Sequence, residues 1–470
     1  MQVKLALPKG HLLRPTSTIL QKSGLELSGY DEQSRSYRPQ CTNFPDLFLK
    51  IFNERDIPIQ VAVGNYDLGI CGQDWVEELL SKYGSSAVVK VKDLGYGKRD
   101  LCVAAGRSTG LTSIDDLKTR TETIRIATEY PNIAELFALN LRLRRFSIFP
   151  LWGGAEIYPP ESADLALISL TPDTILNYGL LPLTSVLCSS TFLIAHRRSW
   201  EAKDMGFLLD RLCTAAKIEE AESEGSKRVV DSTKKPSSLP TQQDSALWLA
   251  LPDGHQQEPT LEFLEKAGIK VSYCAQEPRR PSINLEGVCI KVIRPQDMPL
   301  QVANGNFDLA ITGEDWLYDH LYRFPSSPAR RILSLGYGKV RIVSVVSKKL
   351  PFNSPEDFRV PLRKQSLSTL RIASEYINIA DRYARDNHLS PYRLLPTWGA
   401  SEAFLPEDAD MLIENTQTGR TIAQHNLKII DTLFESSASL IGSARTASNE
   451  SKQKRIDNFI EILRQTVEKN

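Results

Sequence analysis

The feature that most constrains the fold is an internal repeat that covers nearly the whole 470-residue chain. Val61–Trp75 returns as Val302–Trp316 with 10 of 15 residues identical, and Arg125–Ala134 returns as Arg371–Ala380 with 8 of 10 identical. The strings LALPKG, LGYGK and WGGAE recur as LALPDG, LGYGK and WGASE, and the offset between copies stays between 241 and 247 residues. So long a period with so little drift indicates two copies of one module rather than a short-period solenoid.

The repeat predicts a first module over residues 1–216 and a second module over residues 246–470. Residues 217–245 between them are rich in Ser, Lys, Glu, Gln and Pro and poor in large apolar side chains. A segment of this composition buries too little apolar surface to offset the entropy lost on ordering, so we expect a flexible linker there. A helix near the end of the second module is predicted by apolar residues at helical spacing, namely Ile456, Phe459, Ile460, Leu463 and Val467.

Within each module, short apolar runs alternate with helical patterns, which favours layered α/β units over a sandwich or a bundle. In the first copy the pattern predicts a strand over Val3–Leu7 and a helix over Arg14–Ser23. A further strand is expected over Asp67–Cys71, followed by a helix with Asp74 as its N-cap, and Asp315 is expected to do the same in the second copy. Three more strands of the first copy are expected over Leu101–Ala105, Ile124–Ala127 and Leu165–Ile168.

Composition excludes several classes of protein. The 57 Lys and Arg residues balance the 57 Asp and Glu residues, so the chain has no overall basic field for a nucleic acid or an anionic membrane. No apolar run reaches the roughly 18 residues of a membrane span, and the start of the chain lacks a signal-like stretch, so we expect a cytoplasmic protein. The seven cysteines include no Cys-x-x-Cys and the six histidines no metal-ligand spacing, so no metal site is assigned.

A series of motifs resembles the catalytic core of ATP phosphoribosyltransferase, the enzyme that opens histidine biosynthesis. The first copy carries LPKGHL (Leu7–Leu12), RDIP (Arg55–Pro58), DLGI (Asp67–Ile70), DLGYG (Asp93–Gly97) and RIATEYPN (Arg125–Asn132) in the family's order. The resemblance implies two tandem copies of a two-lobed module of the type II periplasmic-binding-protein class, with substrates in the cleft between lobes. It also implies ATP and phosphoribosyl diphosphate as substrates, with Mg²⁺ carried on them.

The second copy supplies a candidate phosphate loop after a strand predicted over Ala409–Ile413 and before a predicted helix. A glycine there allows backbone to approach a ligand closely, and amides, hydroxyls and a helix N-terminus can all donate to phosphate oxygens. The residues alone favour a Thr-rich helix cap over phosphate binding. With the family resemblance they indicate a cradle for the 5-phosphate of phosphoribosyl diphosphate, in which Glu414 accepts hydrogen bonds from the ribose hydroxyls. The predicted binding residues are Glu414, Thr416, Gln417, Thr418, Gly419, Arg420 and Thr421.

The first copy has lost this loop. Its segment Ala163–Thr174 is one residue shorter, has no carboxylate at the position of Glu414, and places Pro172 where a backbone donor is needed. We therefore expect the first copy not to bind the phosphoribosyl group.

The string that begins each copy, LALPKG in the first and LALPDG in the second, is called the opening motif here. It changes in the opposite sense, since Lys9 of the first copy is Asp253 in the second. A lysine neutralises phosphate, whereas an aspartate would repel it unless Mg²⁺ intervenes. His11 and His255 stand where the family has an arginine, so one bidentate phosphate donor is missing from both copies. These complementary losses suggest an internal pseudo-dimer in which the first copy binds the nucleotide and the second the phosphoribosyl group.

The remaining site predictions follow from the resemblance. Glu402 and Glu414 are predicted as catalytic carboxylates, and Glu156 is placed with Lys9, Gly10 and His11 on the nucleotide side. Tyr130 is assigned to the same nucleotide side, where it would either stack on adenine or pack in a lobe interface, as would Tyr376. Trp75, Trp152, Trp316 and Trp398 recur in register, which favours core packing over a binding platform.

Three questions about function stay open at the level of sequence. The chain could be the transferase itself, a non-catalytic regulatory paralogue, or a sensor for a small anion or nucleotide, because one fold serves many functions. Control by histidine would need a separate subunit resembling histidyl-tRNA synthetase, as in the family's short form. A homo-oligomer beyond the internal pseudo-dimer is also possible.

Overall fold

The computed structural model describes residues 2–34, 36–84, 87–212, 214, 246–274, 277–364, 367–444 and 449–469. The predicted linker over residues 217–245 therefore lies outside the described residues. The strands of the first copy are β1 Val3–Pro8, β2 Leu27–Ser28, β3 Gln40–Cys41, β4 Leu47–Phe52, β5 Leu68–Gly72, β6 Val88–Asp93, β7 Arg99–Gly106, β8 Ile124–Thr128, β9 Phe146–Pro150, β10 Leu165–Ser169, β11 Leu180–Ser189 and β12 Thr191–His196. Its α-helices are α1 Leu13–Lys22, α2 Asp56–Ala62, α3 Gln73–Tyr83, α4 Ile114–Thr119, α5 Pro131–Asn140, α6 Pro172–Tyr178 and α7 Arg197–Ala202.

The second copy repeats this order with small changes. Its strands are β13 Leu247–Pro252, β14 Val271–Cys274, β15 Glu277–Ile283, β16 Val288–Ile293, β17 Leu309–Gly313, β18 Ala329–Ser334, β19 Val340–Ser347, β20 Leu370–Ser374, β21 Tyr392–Pro396, β22 Met411–Thr416, β23 Leu427–Ser436 and β24 Ala438–Ser443. Its α-helices are α8 Gln257–Lys266, α9 Met298–Ala303, α10 Glu314–Arg323, α11 Arg359–Arg363, α12 Ile377–Asp386, α13 Arg420–Gln424 and α14 Glu450–Lys469. Helix α14 buries Phe459 and Leu463, as its apolar spacing predicts.

Each copy folds into two lobes, each with a five-stranded mixed sheet. Lobe 1a has the strand order β4-β1-β5-β12-β6 and lobe 1b the order β11-β7-β10-β8-β9; lobe 2a (β16-β13-β17-β24-β18) and lobe 2b (β23-β19-β22-β20-β21) repeat these orders. The chain leaves the first lobe after β6 and returns at β12, so two crossing segments join the lobes, as β18 to β19 and β23 to β24 do in the second copy. The predicted fold class, two tandem two-lobed α/β modules, is confirmed.

The two copies pack head to tail, so that each lobe of one copy contacts the opposite lobe of the other. We call the two contacts between lobes of different copies joint 1a/2b and joint 1b/2a. In joint 1a/2b, Phe52 packs edge to face against Phe404 with ring centroids 5.3 Å apart, within a core built from residues of both lobes. In joint 1b/2a, Leu151 and Tyr158 share a core with Ile293 and Phe307. Because both cores are built from residues of both copies, the apolar faces of the inner sheets are buried only when the copies are together.

A buried lysine reinforces each joint. Lys50 on β4 lies 2.6 Å from Asp408 and 2.8 Å from Glu407, and Arg38 also pairs with Glu407. Among the described residues, its counterpart Lys291 on β16 has one carboxylate partner, Glu161 at 2.9 Å, and shares it with Arg280. Joint 1a/2b therefore has two cations for two carboxylates, whereas joint 1b/2a has two cations for one carboxylate.

Two of the predicted helix caps are wrong. Helix α3 begins at Gln73 with Gly72 as its N-cap, and α10 begins at Glu314 with Gly313 as its N-cap. Asp74 lies in the first turn, where its amide donates to Ser189 Oγ at 3.0 Å, so the hydroxyl across the lobe hinge satisfies the helix end instead of a side-chain cap. The Asp74 carboxylate, which does not cap the helix, instead accepts a hydrogen bond from another residue, described below. No helix among the described residues is long and apolar enough to span a bilayer.

Candidate active site

A cavity of about 600 Å³ lies where the clefts of the two copies meet, and side chains from both copies form its walls. We call this cavity the chamber. Its polar and aromatic lining includes Lys9, Gly10, His11, Arg55, Trp75, Arg99, Glu129, Tyr130, Trp152, Glu156, Arg294, Gln296, Glu375 and Trp398. The chamber therefore gathers four permanent cations and several carboxylates, the composition expected where a polyanion and a positive centre are held together.

The first opening motif lies at one wall of the chamber, directly after β1. The Lys9 amide donates to the Phe52 carbonyl at 2.8 Å, and Gly10 then takes a φ of +81°, which a residue with a Cβ rarely adopts. A Cβ at Gly10 would meet nothing within 4 Å, so this turn faces open space. The Lys9 ammonium lies 5.3 Å from the centre of the Tyr37 ring, and no carboxylate of the described residues lies within ion-pair distance of it. Lys9 is thus a cation available to a ligand.

His11 stands between two charged partners. Its Nδ1 lies 2.8 Å from Glu54 Oε1 and 2.7 Å from an Arg99 guanidinium nitrogen. The tautomer of His11 decides which contact Nδ1 makes: without a hydrogen it accepts from Arg99, and with one it donates to Glu54. Arg55 beside them pairs closely with Glu129 and lies 4.4 Å over the Trp75 ring.

The candidate phosphate loop follows β22 in lobe 2b. The strand runs to Thr416 rather than ending at Ile413, so Glu414 and Asn415 belong to the strand end and not to the loop. Gly419 has a φ of +72°, its amide donates to Thr416 Oγ1 at 2.9 Å, and helix α13 begins at the next residue as predicted. Exposed side chains flank the turn at Gln417, Thr418, Arg420 and Thr421. The positive φ at Gly419 and the flanking hydroxyls fit an anion at this turn.

Three carboxylates come together beside this loop. Glu414 is held by the Ser401 hydroxyl and by the Asn415 amide at 2.9 Å. Burial, then the facing Glu375 and Glu402, raise the pKa of Glu414 to about 8, and burial together with Glu402 raises the pKa of Glu375 to about 7. This edge of the chamber therefore holds protons at neutral pH and gains affinity for a cationic centre when it loses them.

Tyr37 links the first opening motif to these acids across joint 1a/2b. Its ring stacks on His425 of lobe 2b with centroids 5.3 Å apart, beside the Lys9 ammonium. Burial, followed by the charges of Glu402 and Glu414, raises the pKa of the Tyr37 hydroxyl to about 12. The opening motif of the first copy and the loop of the second copy therefore face each other.

The sheet register shows that the first copy lacks the equivalent acid. In lobe 2b, Glu414 lies opposite Val343 of β19, and in lobe 1b, Ile168 lies opposite Cys102 at the same position. Helix α6 then begins at once with Pro172, and Thr171 accepts a hydrogen bond from the Thr174 amide. The turn that carries Gly419 in the second copy is absent, so lobe 1b offers an apolar strand end and a capped helix.

The second opening motif differs equally from the first. Asp253 lies 3.2 Å from Arg279 and 3.2 Å from Arg294, which replace Tyr37 and Asn53. Arg279 also approaches Glu156 of lobe 1b at 3.7 Å. The aspartate therefore meets two guanidinium groups of its own lobe, and the expected repulsion of phosphate is only part of its role.

Comparison with known proteins decides the family. The ATP phosphoribosyltransferase family model matches residues 53–217 and again residues 294–465, which together exceed half of the chain. The chain belongs to the ATP phosphoribosyltransferase family. It is accordingly a pentosyltransferase of the first step of histidine biosynthesis, and the two matched segments agree with a tandem duplication.

The chain is also similar to individual relatives and solved structures. The ATP phosphoribosyltransferase of Chlorobaculum parvum is 30% identical over 229 residues, which span 48% of this chain and 72% of the relative. An ATP phosphoribosyl transferase (HisG:HisZ) complex from Thermotoga maritima is 22% identical with a TM-score of 0.39, covering 48% of this chain and all of that chain. The alkanesulfonate-binding protein SsuA from Xanthomonas axonopodis pv. citri, 16% identical with a TM-score of 0.32, covers 48% of this chain and 76% of its own.

The structure places only part of the predicted residues in the chamber. Lys9, Gly10 and His11 line it. Glu402, Glu414 and residues 416–421 are not among its lining residues, whereas Ile168, Ser169 and Thr174 of the first copy are. Glu156 also lines the chamber, but it lies on the other side, against Arg279 of the second opening motif.

Tyr130 is a wall residue rather than a free stacking surface. Only 5% of it is exposed, its ring stacks on Trp75 at 4.4 Å, and its hydroxyl donates to Asp74 at 2.7 Å. Tyr376 repeats this arrangement with Trp316 and Asp315. The packing interpretation is therefore favoured for both tyrosines.

The core interpretation of the tryptophans is wrong for three of the four. Trp75, Trp152 and Trp398 line the chamber, and Trp152 lies 6.3 Å from Trp398 across the boundary between the copies. Trp316 alone is nearly buried, with 8% exposed. Recurrence in both copies identifies equivalent positions but does not show which of them face a cavity, because a duplicated fold can keep core residues and cavity-lining residues alike.

Sequence reasoning also missed Tyr37, Arg294 and Glu375. Tyr37 and Arg294 fall outside the repeated strings, and Glu375 lies inside one but was treated as part of a motif only. A position-by-position comparison of the two copies would have found Arg294, because it stands beside the repeated Asp-x-Pro turn and is Asn53 in the first copy.

Proposed function

We propose that the transfer takes place where the chamber adjoins the candidate phosphate loop of lobe 2b, with parts of the site supplied by both copies. The reaction joins N1 of ATP to C1 of the ribose of phosphoribosyl diphosphate and releases diphosphate. The observation that carries this proposal is the position of Tyr37, whose ring stacks on His425 of lobe 2b and lies beside the Lys9 ammonium of lobe 1a. One opening motif and one loop are thus combined from different copies.

The second copy would bind phosphoribosyl diphosphate. The turn around Gly419 presents its backbone and the hydroxyls of Thr416, Thr418 and Thr421 to the 5-phosphate, with Gln417 and Arg420 beside it. Glu414 would accept hydrogen bonds from the ribose hydroxyls, and Glu402 would face the positive charge that grows on the ring as diphosphate departs. Both carboxylates stabilise the transition state more than the neutral ground state of the sugar.

The first copy would hold the nucleotide. Lys9 and Arg99 supply positive charge to the phosphate groups, Gly10 allows close approach of the backbone, and His11 supplies a ring nitrogen. Trp75 and Trp152 give the chamber flat apolar walls of the kind that purine rings contact. The protein thereby orients two polyanions, and no covalent nucleophile is needed.

Mg²⁺ is proposed as part of the substrates, carried on the diphosphate group. No group of three or more His, Cys, Asp or Glu side chains among the described residues is arranged to hold a metal ion. The ion would neutralise the leaving group when bound with it.

The decisive experiment measures near-ultraviolet absorbance of the purified chain with ATP, phosphoribosyl diphosphate and Mg²⁺, with pyrophosphatase present to remove diphosphate. An absorbance rise that needs both substrates is expected, and omission of either substrate is the control. The assay is repeated with a subunit resembling histidyl-tRNA synthetase, the partner proposed for control by histidine. Silence in both cases would contradict stand-alone turnover.

A second candidate function is a non-catalytic regulatory paralogue or a sensor for a small anion or nucleotide. It is favoured by Asp253 in the second opening motif and by Ile168 and Pro172 in the first loop. It predicts that ATP binds saturably to the chain while the absorbance assay shows no product.

Domain limits and surroundings also remain proposals. We propose modules over residues 1–216 and 246–470 with a flexible linker at 217–245, which limited proteolysis would cut first. We further propose action in the cytoplasm, where both substrates are made, and a homo-oligomer is left to measurement by light scattering.

A further inference from the structure

The second opening motif combines residues suited to bind an anion with a carboxylate of the same chain, Asp253, that already contacts them. Arg279 and Arg294 both point a guanidinium nitrogen at Asp253, at hydrogen-bond distances of 3.2 and 3.3 Å. Gly254 next to it takes a φ of +68°, and a Cβ there would meet nothing within 4 Å. Two guanidinium groups and a glycine turn that faces open space are the surroundings that phosphate groups require.

The first opening motif shows what the same place looks like without an occupant. Its Lys9, Tyr37 and Asn53 carry one positive charge, and Lys9 has no carboxylate partner among the described residues. Asp253, Arg279 and Arg294 also sum to one positive charge, but that sum includes an internal carboxylate. The two opening motifs therefore carry the same net charge, but in the second motif the cations stand at different positions and a carboxylate lies between them.

The aspartate is well placed to exclude a ligand. It is largely shielded, with 11% of its side chain exposed, so its ion pairs are only weakly screened by solvent. Arg279 is held in addition by the Val292 carbonyl at 3.4 Å and packs on Gly154 of lobe 1b, where a Cβ would come within 3.0 Å. An incoming phosphate would have to break contacts that the chain already satisfies.

We propose that the second opening motif is a diphosphate-class anion site that the chain fills with its own Asp253, so that of the two opening motifs only the one at Lys9 binds substrate phosphates. Each chain then has one functional site. The inference rests on the proposed function only for binding at Lys9, since binding at the second opening motif concerns Arg279 and Arg294 alone.

Isothermal titration calorimetry of the full chain with inorganic diphosphate tests this directly. We expect one binding event per chain in the wild type, which Lys9→Ala removes. We expect two events in Asp253→Asn, because the variant leaves Arg279 with Glu156 as its one remaining ion pair and Arg294 with no ion pair among the described residues. Asp253→Asn combined with Arg279→Met is expected to return to one event, since Arg279 contacts the second motif and does not line the chamber.

Glu286→Gln, which removes an exposed carboxylate from the same lobe, is the matched control and is expected to leave one event. A second event in the wild type, the absence of any event gained in Asp253→Asn relative to the wild type, or a gained event that survives Arg279→Met would each overturn the proposal. No event in the wild type would count against the Lys9 site, whereas a single Arg279-dependent event in Asp253→Asn would still support this one. A gain of binding is not produced by misfolding.

Discussion

The two copies share a buried tyrosine–aspartate pair and differ at the residue that follows the first strand of each copy. The buried pair of Tyr130 and Asp74 is repeated by Tyr376 and Asp315, with hydroxyl-to-carboxylate distances of 2.7 and 2.6 Å. At the chamber, Lys9 corresponds to Asp253. Packing constrains both copies equally because each joint needs both, whereas chemistry needs only one complete set of residues.

The loops give the same comparison at a single strand position. Glu414 in β22 and Ile168 in β10 occupy the same register, yet one carries a carboxylate with a raised pKa and the other an apolar side chain. A strand end tolerates either residue, because its backbone pairing does not depend on the side chain. The fold therefore survives the change while the site does not.

The largest effect is expected for Gly419→Pro in the loop of the second copy. Proline fixes φ near −65°, whereas Gly419 has +72°, and its amide, which now donates to Thr416, would be removed. Turnover should be abolished in the absorbance assay. Pro172→Ala in the first copy should leave turnover within about twofold, since that loop is proposed to bind nothing; an equal loss in both variants would contradict the assignment.

The two buried lysines should differ strongly in their effect on stability. Lys50→Met leaves Asp408 buried without its cation, and removal of one partner of a buried pair costs about 3–5 kcal/mol. Lys291→Met leaves Arg280 and Glu161 as a one-to-one pair, so its cost should be near zero. Urea denaturation of the full chain measures both. Equal losses would show that the charge count at the joints does not matter.

Lys9→Ala should lower the apparent affinity for the phosphate-bearing substrates. A charge-assisted hydrogen bond is worth about 1.5–3 kcal/mol, or about 10- to 150-fold. The expected result is a rise in KM with the thermal midpoint unchanged, measured by initial rates and by calorimetry. Lys266→Ala, an exposed lysine on helix α8, serves as the control. A fall in the midpoint with unchanged KM would assign Lys9 to structure instead.

The last comparison concerns a pH dependence of stability that arises in joint 1b/2a. Burial and then Arg280 lower the pKa of Lys291 from 10.5 to about 7 in the folded chain. Between these values the unfolded state binds more protons, so stability should rise with pH from about 7 towards 10, by at most about 1.4 kcal/mol per pH unit. Denaturation midpoints at several pH values should show this rise in the wild type. Lys291→Met should flatten it, and a rise of unchanged size would exclude Lys291 as its source.

Much of the fold could be predicted because it rests on local patterns. The repeat, the alternation of strands and helices and the spacing of Phe459 and Leu463 are all read within short windows of sequence. The caps at Asp74 and Asp315 failed because a tertiary partner, Ser189 or Ser436, satisfies the helix end in place of the side chain. A cap preference is a weak local term that a contact across the hinge overrides.

The site was predicted only in part for a related reason. Glu414 and Lys9 were found because motifs mark them, but their approach through Tyr37 depends on how the copies pack, which no window of sequence contains. The pairing of Asp253 with Arg279 and Arg294 was missed for the same cause, since the three residues lie on different segments of lobe 2a. Charge reversal at Asp253 was visible, but its partners were not.

The shared cores of the joints also affect how the chain is made. Residues of the first copy such as Phe52 and Tyr158 leave the ribosome before the lobes that will cover them exist. At about 5–20 residues per second, the roughly 200 residues of the second copy take on the order of 10–40 s to follow. During that time the nascent first copy displays two apolar faces to the cell. Translation speed and holding chaperones therefore influence the yield of this protein, although neither touches its chemistry.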